Sequence, residues 1–214
     1  MDTSTCTLYY SPGAASLVVH WLLLELEAPH ALALVDTSAG EQKRPEYLAL
    51  NPNGVVPTLV IDGKPHYEAA ALLMHLADAF PVHALAPALT DPQRAGYTQW
   101  MFNLANMVQP LFRQWWYPHE PAGEANAEAV RHSVQPRIEA QWERIDQHLA
   151  AHGPYLLGER LSAADFYLTM LMRWSRNMPR QAIEWPHLAE LAGRLKARPS
   201  FAKLYLREGL TEWA

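Results

Sequence analysis

The sequence predicts two domains of different class: an α/β domain over residues 1–81 and an all-helical domain over residues 93–214, with residues 82–92 as a linker. Three observations carry this. Short apolar runs alternate with helical patterns up to residue 80, and two of those runs are joined by the hairpin pair Asp62-Gly63. The stretch Pro81 to Pro92 holds three prolines and no periodicity. From Asp91 onward the patterns are helical only.

The elements follow in order. Cys6 to Tyr10 reads as a strand. It turns over Ser11-Pro12-Gly13 into a helix, Leu17 to Leu26, that has almost no polar interruption and so is buried. A strand turning into a helix over Pro-Gly aims backbone N–H groups at one spot, where the helix N-terminus adds partial positive charge. That spot suits an anion, a thiolate being one possibility. Leu32 to Val35 is the second strand, and strand-helix-strand implies a parallel pair. Pro45 to Leu48 reads as a short helical turn, and Asn51-Pro52-Asn53-Gly54 as a turn. Val55 to Ile61 is a strand with a proline near its start. Asp62-Gly63 turns it back into Lys64 to Tyr67, and a helix follows from Glu68 to Ala79 with Leu72, Leu73 and Leu76 inward. The order βαβ then ββα is the thioredoxin-like arrangement.

In the second half, Asp91-Pro92 starts a helix running to about Tyr117, which Pro110 is expected to kink or break. A second helix spans about Ala125 to Ala151, with Ile138, Trp142, Ile145 and Leu149 on one face. Ser162 and Asp165 form a capping box ahead of a nearly all-apolar, central helix. Pro186 and Pro199 start two shorter helices.

Composition narrows the function. Half of the 214 residues are hydrophobic, enough for a substantial core. A net charge of −5, with Lys43-Arg44 and Arg194 to Arg198 short and scattered, gives no reason to expect nucleic acid or an anionic membrane. The single cysteine, Cys6, forms no internal disulfide. It lies about 13 Å along the strand from Tyr10, far from the turn, and reads as a small buried hydrophobe. The ten histidines show no metal spacing. Met1-Asp2-Thr3-Ser4-Thr5 lacks the features of a signal peptide, and no apolar run reaches membrane-span length, so a cytoplasmic location is expected.

Leu8-Tyr9-Tyr10-Ser11-Pro12-Gly13, the run Tyr47 to Leu59 that includes Asn51-Pro52-Asn53-Gly54-Val55-Val56-Pro57, and Glu68-Ala69 opening a helix resemble the glutathione S-transferase superfamily. The resemblance covers nearly the whole chain and is nearest to bacterial, beta-like members. It implies a homodimer with glutathione as co-substrate and no metal. It also implies that Pro57 is cis and that the backbone of Val56 pairs with the cysteinyl part of glutathione like an added strand. Glu68 then faces the γ-glutamyl ammonium, and the N–H groups from Ala69 onward hold the γ-glutamyl carboxylate. Gln42 and Lys43 lie in the loop that meets the glycyl end.

The chain also departs from the family. Where beta-like members carry a cysteine it has Ala15, where other classes carry a serine it has Ala14, and a usual histidine is replaced near Gln109. The hydroxyls left to activate the thiol are Ser11, Tyr10 and Ser16, with Ser11 in the turn itself ranked ahead of Tyr10. Equally, Tyr10 reads as a core aromatic and Ser11 as a residue that only shapes the turn. Met107, Phe112, Trp115 and Tyr117 are candidates to wall an apolar substrate pocket, and Arg113 to anchor a carboxylate. The competing reading makes Phe112 core and Arg113 an ion-pair partner. Two functions follow: transfer of glutathione to small hydrophobic electrophiles, or non-catalytic binding of glutathione or a hydrophobic ligand on the same fold.

Overall fold

A computed structural model describes residues 6–213. Residues 1–5, on which the signal-peptide reading rests, lie outside the described residues. Contacts divide the chain into two compact units. One joins the residues up to Ala84 with Arg198–Glu212, and the other is Leu85–Ala197. The segment 198–212, which the sequence places in the helical domain, therefore belongs with the α/β unit.

In that first unit β1 (Cys6–Tyr10) is followed by α1 (Ser16–Glu25), β2 (Ala31–Leu34), α2 (Pro45–Leu48), β3 (Thr58–Ile61), β4 (Lys64–Tyr67) and α3 (Ala69–Ala79). The four-stranded sheet has the order β2-β1-β3-β4. β1 runs parallel to β2 and antiparallel to β3, with Leu8 opposite Leu32 and Leu59. The arrangement is thioredoxin-like. Asp62 and Gly63 both take positive φ, 48° and 78°, as a two-residue hairpin with the twist of its strands requires. β3 is shorter than its sequence run, because Val55, Val56 and Pro57 precede the ladder instead of joining it.

The second unit contains α4 (Arg94–Asn103), α5 (Gln109–Trp116), α6 (His119–Ala122), α7 (Ala127–His152), α8 (Ala163–Trp174) and α9 (Pro186–Lys196). Pro110 does not break the first long helix. Residues Leu104–Val108 form a π-helical segment between α4 and α5. A wide turn here accommodates a proline that lacks an N–H and would crowd the preceding turn. α4 starts later than Asp91-Pro92 suggests. The Asp91 carboxylate accepts the Gln93 N–H at 2.8 Å and pairs with Arg160 at 2.7 Å. α10 (Pro199–Glu208) then returns to the first unit and packs on α1, which also meets α3 and β1. Being covered on several sides, α1 buries almost every residue, and this is why its sequence lacks a polar face.

The capping box ahead of α8 forms, and it does more than cap. The Asp165 carboxylate accepts the N–H and Oγ–H of Ser162, at 2.8 and 3.0 Å, and the Leu156 N–H at 2.8 Å. It is fully buried, and desolvation pushes its carboxyl up to about 6 despite those three donors. The folded-state value lies above the unfolded one, so ionisation opposes folding. The associated stability is complete below about pH 4 and is lost as pH rises through about 6. Asp165→Ala strands buried donors and is expected to lower the unfolding free energy by about 2–4 kcal/mol near pH 5. Urea unfolding should show that gap narrowing by pH 7.5, and equal stability at pH 5 would contradict the capping geometry.

Candidate active site

The turn between β1 and α1 is built from its own backbone and two serines. The Ser11 N–H donates to Ser16 Oγ at 3.1 Å, and Ser16 Oγ donates back to the Ser11 carbonyl at 3.1 Å. Ser16 is fully buried with its only proton engaged, so it shapes the turn. Ala14 N–H donates to the Ser11 carbonyl at 3.1 Å. Gly13 takes φ +71°, a left-handed conformation open to glycine, and its N–H donates to Glu208 Oε2 at 2.9 Å. The anion that this N–H meets is thus the chain's own carboxylate. Glu208 Oε1 lies 2.8 Å from His20 Nδ1, and both side chains are fully buried.

Ser11 and Tyr10 have different surroundings. Ser11 Oγ lies 3.1 Å from Thr37 Oγ1. The Tyr10 ring packs against His20 of α1, with centroids 5.9 Å apart. Strand alternation sends Tyr9 to the opposite face, where it joins Ala14 on the Val35, Tyr47 and Val56 cluster.

Val56 is placed by what precedes it. The Val55 carbonyl accepts the Tyr47 hydroxyl and the Asn51 side-chain amide, each at 2.8 Å. The Asn51–Gly54 turn closes with Gly54 at φ +59°, where a side chain would collide with the Gln42 carbonyl oxygen at 2.9 Å. The Val56–Pro57 bond is cis. Gln42 Nε2 donates to the Thr37 carbonyl and Lys43 Nζ to the Asn53 carbonyl, each at 3.3 Å. Glu68 is exposed and sits at φ +75°, a region an L-residue with a long side chain rarely adopts. It directly precedes α3, whose first residue is the buried Ala69 and whose N-terminus carries no side-chain cap.

In the helical unit the five pocket candidates separate. Phe112 is fully buried between Trp142 and Trp174, at centroid distances of 5.8 and 6.0 Å, so it is core and walls no open pocket. Arg113 makes a two-pronged ion pair with Glu120 and lies 4.0 Å over the Tyr117 ring, which occupies its guanidinium internally. Met107 and Tyr117 are exposed and Trp115 is half-buried. Gln109 accepts the Tyr167 hydroxyl. Among the described residues no three His, Cys, Asp or Glu side chains gather as a metal site, and no helix is long and apolar enough to cross a membrane.

A family model described as the glutathione S-transferase N-terminal domain matches residues 14–79, and one for the C-terminal domain of the same family matches residues 105–208. This chain belongs to the glutathione S-transferase family. Glutathione S-transferase GST-4.5 of Xanthomonas campestris is 33% identical over 172 residues, covering 78% of this chain and 81% of that one. The disulfide-bond oxidoreductase YfcG of Escherichia coli is 26% identical over 95% of each chain, so not all relatives share a reaction. A glutathione transferase homologue from Sulfitobacter, solved with bound glutathione, superposes with a TM-score of 0.88 at 29% identity, over 97% of this chain and 99% of that one.

Three residues near the turn escaped the sequence reading. His20 is a polar residue inside an otherwise apolar helix, the one signal that could have pointed to a buried partner. Glu208, 188 residues away, carried no local signal. Thr37 lay in an ordinary polar loop. Glu208→Ala leaves the Gly13 N–H and His20 Nδ1 without their buried acceptor, and is expected to destabilise the protein by about 2–4 kcal/mol. Glu208→Gln, which keeps an acceptor for Gly13, should lose less. An unchanged urea midpoint for the alanine variant would mean that α10 does not hold the turn.

Proposed function

We propose that this chain binds glutathione in its α/β unit and, as a homodimer, conjugates the glutathione thiolate to small hydrophobic electrophiles. The observation that carries the reading is Glu68. A charged residue held at φ +75° immediately before an uncapped helix is a strained backbone with an acid and free-standing donors side by side. That suits an amino acid end: Glu68 for the ammonium, the N–H groups from Ala69 for the carboxylate. Val56 would pair with the cysteinyl backbone. Lys43 and Gln42 each keep N–H donors beyond the ones they spend on Asn53 and Thr37, and these would meet the glycyl carboxylate.

Chemistry then needs the thiol as thiolate, its proton passing to water. The Ser11 hydroxyl would donate to the sulfur and favour the anion. The thiolate attacks the electrophilic carbon, a C–S bond forms, and with an aryl halide the halide departs. Within the helical unit, Met107 and Tyr117 are exposed and Trp115 is half-buried, which leaves these three pocket candidates open to an apolar ligand. Disulfide chemistry on a protein cysteine fits poorly. Cys6 is the one cysteine, at the far end of β1, and burial together with Asp62 pushes its thiol pKa up.

A second reading, binding without turnover, is favoured by Ala14, Ala15 and Ala69, which carry no hydroxyl or thiol at the three positions where the family often has one. Measuring glutathione affinity and aryl halide conjugation in one preparation separates the two, since affinity without turnover selects the second.

Glu68→Gln is expected to weaken glutathione binding by about 1.5–3 kcal/mol through loss of a charge-assisted pair. Unchanged affinity by calorimetry would move the ammonium site elsewhere. Ser11→Ala should bind glutathione nearly as the parent does and lose conjugation at least about tenfold. If Tyr10→Phe shows that loss and Ser11→Ala does not, the tyrosine is the donor.

A further inference from the structure

Ser11 does not stand alone. Its hydroxyl faces that of Thr37 at 3.1 Å, across 26 residues of sequence. The loop that brings Thr37 there is braced on every side. Asp36 Oδ1 accepts the N–H groups of Ser38 and Ala39 at 2.9 and 3.0 Å, and Glu41 Oε2 accepts the Asp36 N–H at 2.8 Å. The Thr37 carbonyl accepts Gly40 N–H and Gln42 Nε2, each at 3.3 Å. On the strand side, the Val35 N–H donates to the Tyr10 carbonyl at 2.8 Å, fixing β2 against the end of β1. So several backbone groups of the loop are held within the loop itself, and Thr37 presents its hydroxyl to the turn.

Two hydroxyls in contact have two protons, and only one lies between the oxygens. If Ser11 donates to Thr37, it turns a lone pair toward any neighbouring anion. If Thr37 donates to Ser11, the Ser11 proton points away from Thr37 and is available, and donation into its oxygen makes that proton a better donor. A thiolate beside Ser11 selects the second arrangement.

We propose that Thr37 is a positioning residue: its hydroxyl donates to Ser11 Oγ, and this turns the Ser11 proton toward the glutathione sulfur. Both hydroxyls keep their protons throughout. The proposal rests on the reading of Ser11 as the sulfur's donor.

The test is a double-mutant cycle on the full chain, with glutathione and an aryl halide as probes. Thr37→Val keeps the shape and removes the hydroxyl. It should lower kcat about tenfold and leave the KM for glutathione within about twofold, because a hydroxyl acting through Ser11 touches no part of the tripeptide. Thr37→Ser restores the hydroxyl and should recover the parent rate. In the Ser11→Ala background Thr37→Val should add nothing further. A fully active Thr37→Val, or a loss that persists undiminished in the Ser11→Ala background, overturns the relay while leaving Ser11 as donor. A fully active Ser11→Ala overturns the reading of Ser11 itself, and the relay with it.

Discussion

A carboxylate buried beneath a glycine holds the α/β unit together at its most sensitive point. Glu208 closes α10, the end of a helix where the backbone dipole disfavours negative charge. It is nevertheless buried there, with one oxygen on the Gly13 N–H and the other on His20. A buried carboxylate persists when donors replace the water it gives up, and the turn supplies one of them. The pairing accounts for several separate features: a glycine at positive φ, a histidine inside an otherwise apolar helix, and an acid at the wrong end of another. The opposite ends of the same two helices are tied as well, through Glu25 with Arg198 and Ser200. Trp21 donates to Ser200 at 3.0 Å between them. α1 and α10 are thus pinned along their length, and the turn that starts α1 inherits that rigidity.

The fold was legible where the signal was local. Alternating strands, the Asp62-Gly63 hairpin, the capping box at Ser162 and Asp165, and prolines opening α9 and α10 each rest on backbone preferences within a few residues. Pro110 left a kink or a break open, and its missing N–H is met by widening the helix at Leu104–Val108 instead of ending it. The assignment of residues 198–212 failed for another reason. Nothing in the amphipathic pattern of a helix names the surface it covers.

The candidate site divides along the same line. Val56-Pro57, Glu68 and the Ser11 turn lie in contiguous motifs, so the sequence alone could single them out as candidates. Phe112 and Arg113 carried two readings each, pocket residue or core aromatic and carboxylate anchor or ion-pair partner, because an aromatic and a cation near a run of tryptophans are at home in a core or a binding surface, and the core and ion-pair readings hold. Their partners, Trp142 and Trp174 for one and Glu120 for the other, decide the matter. Glu208, His20 and Thr37 act through pairings across 26 to 195 residues, which no single stretch of sequence encodes.

Because the α/β unit takes its final helix from Arg198–Glu212, the helical unit is an insertion between two segments of it. On the ribosome, chains fold from the N-terminus as domains become complete. Here the first strand and helix emerge early, yet the side of α1 that carries Trp21 and His20 stays uncovered until α10 has been made. The inserted helices can finish first, and the sheet that is synthesised first is completed last. A fragment cut at the linker would expose that apolar side permanently, which makes the isolated α/β segment prone to associate through it.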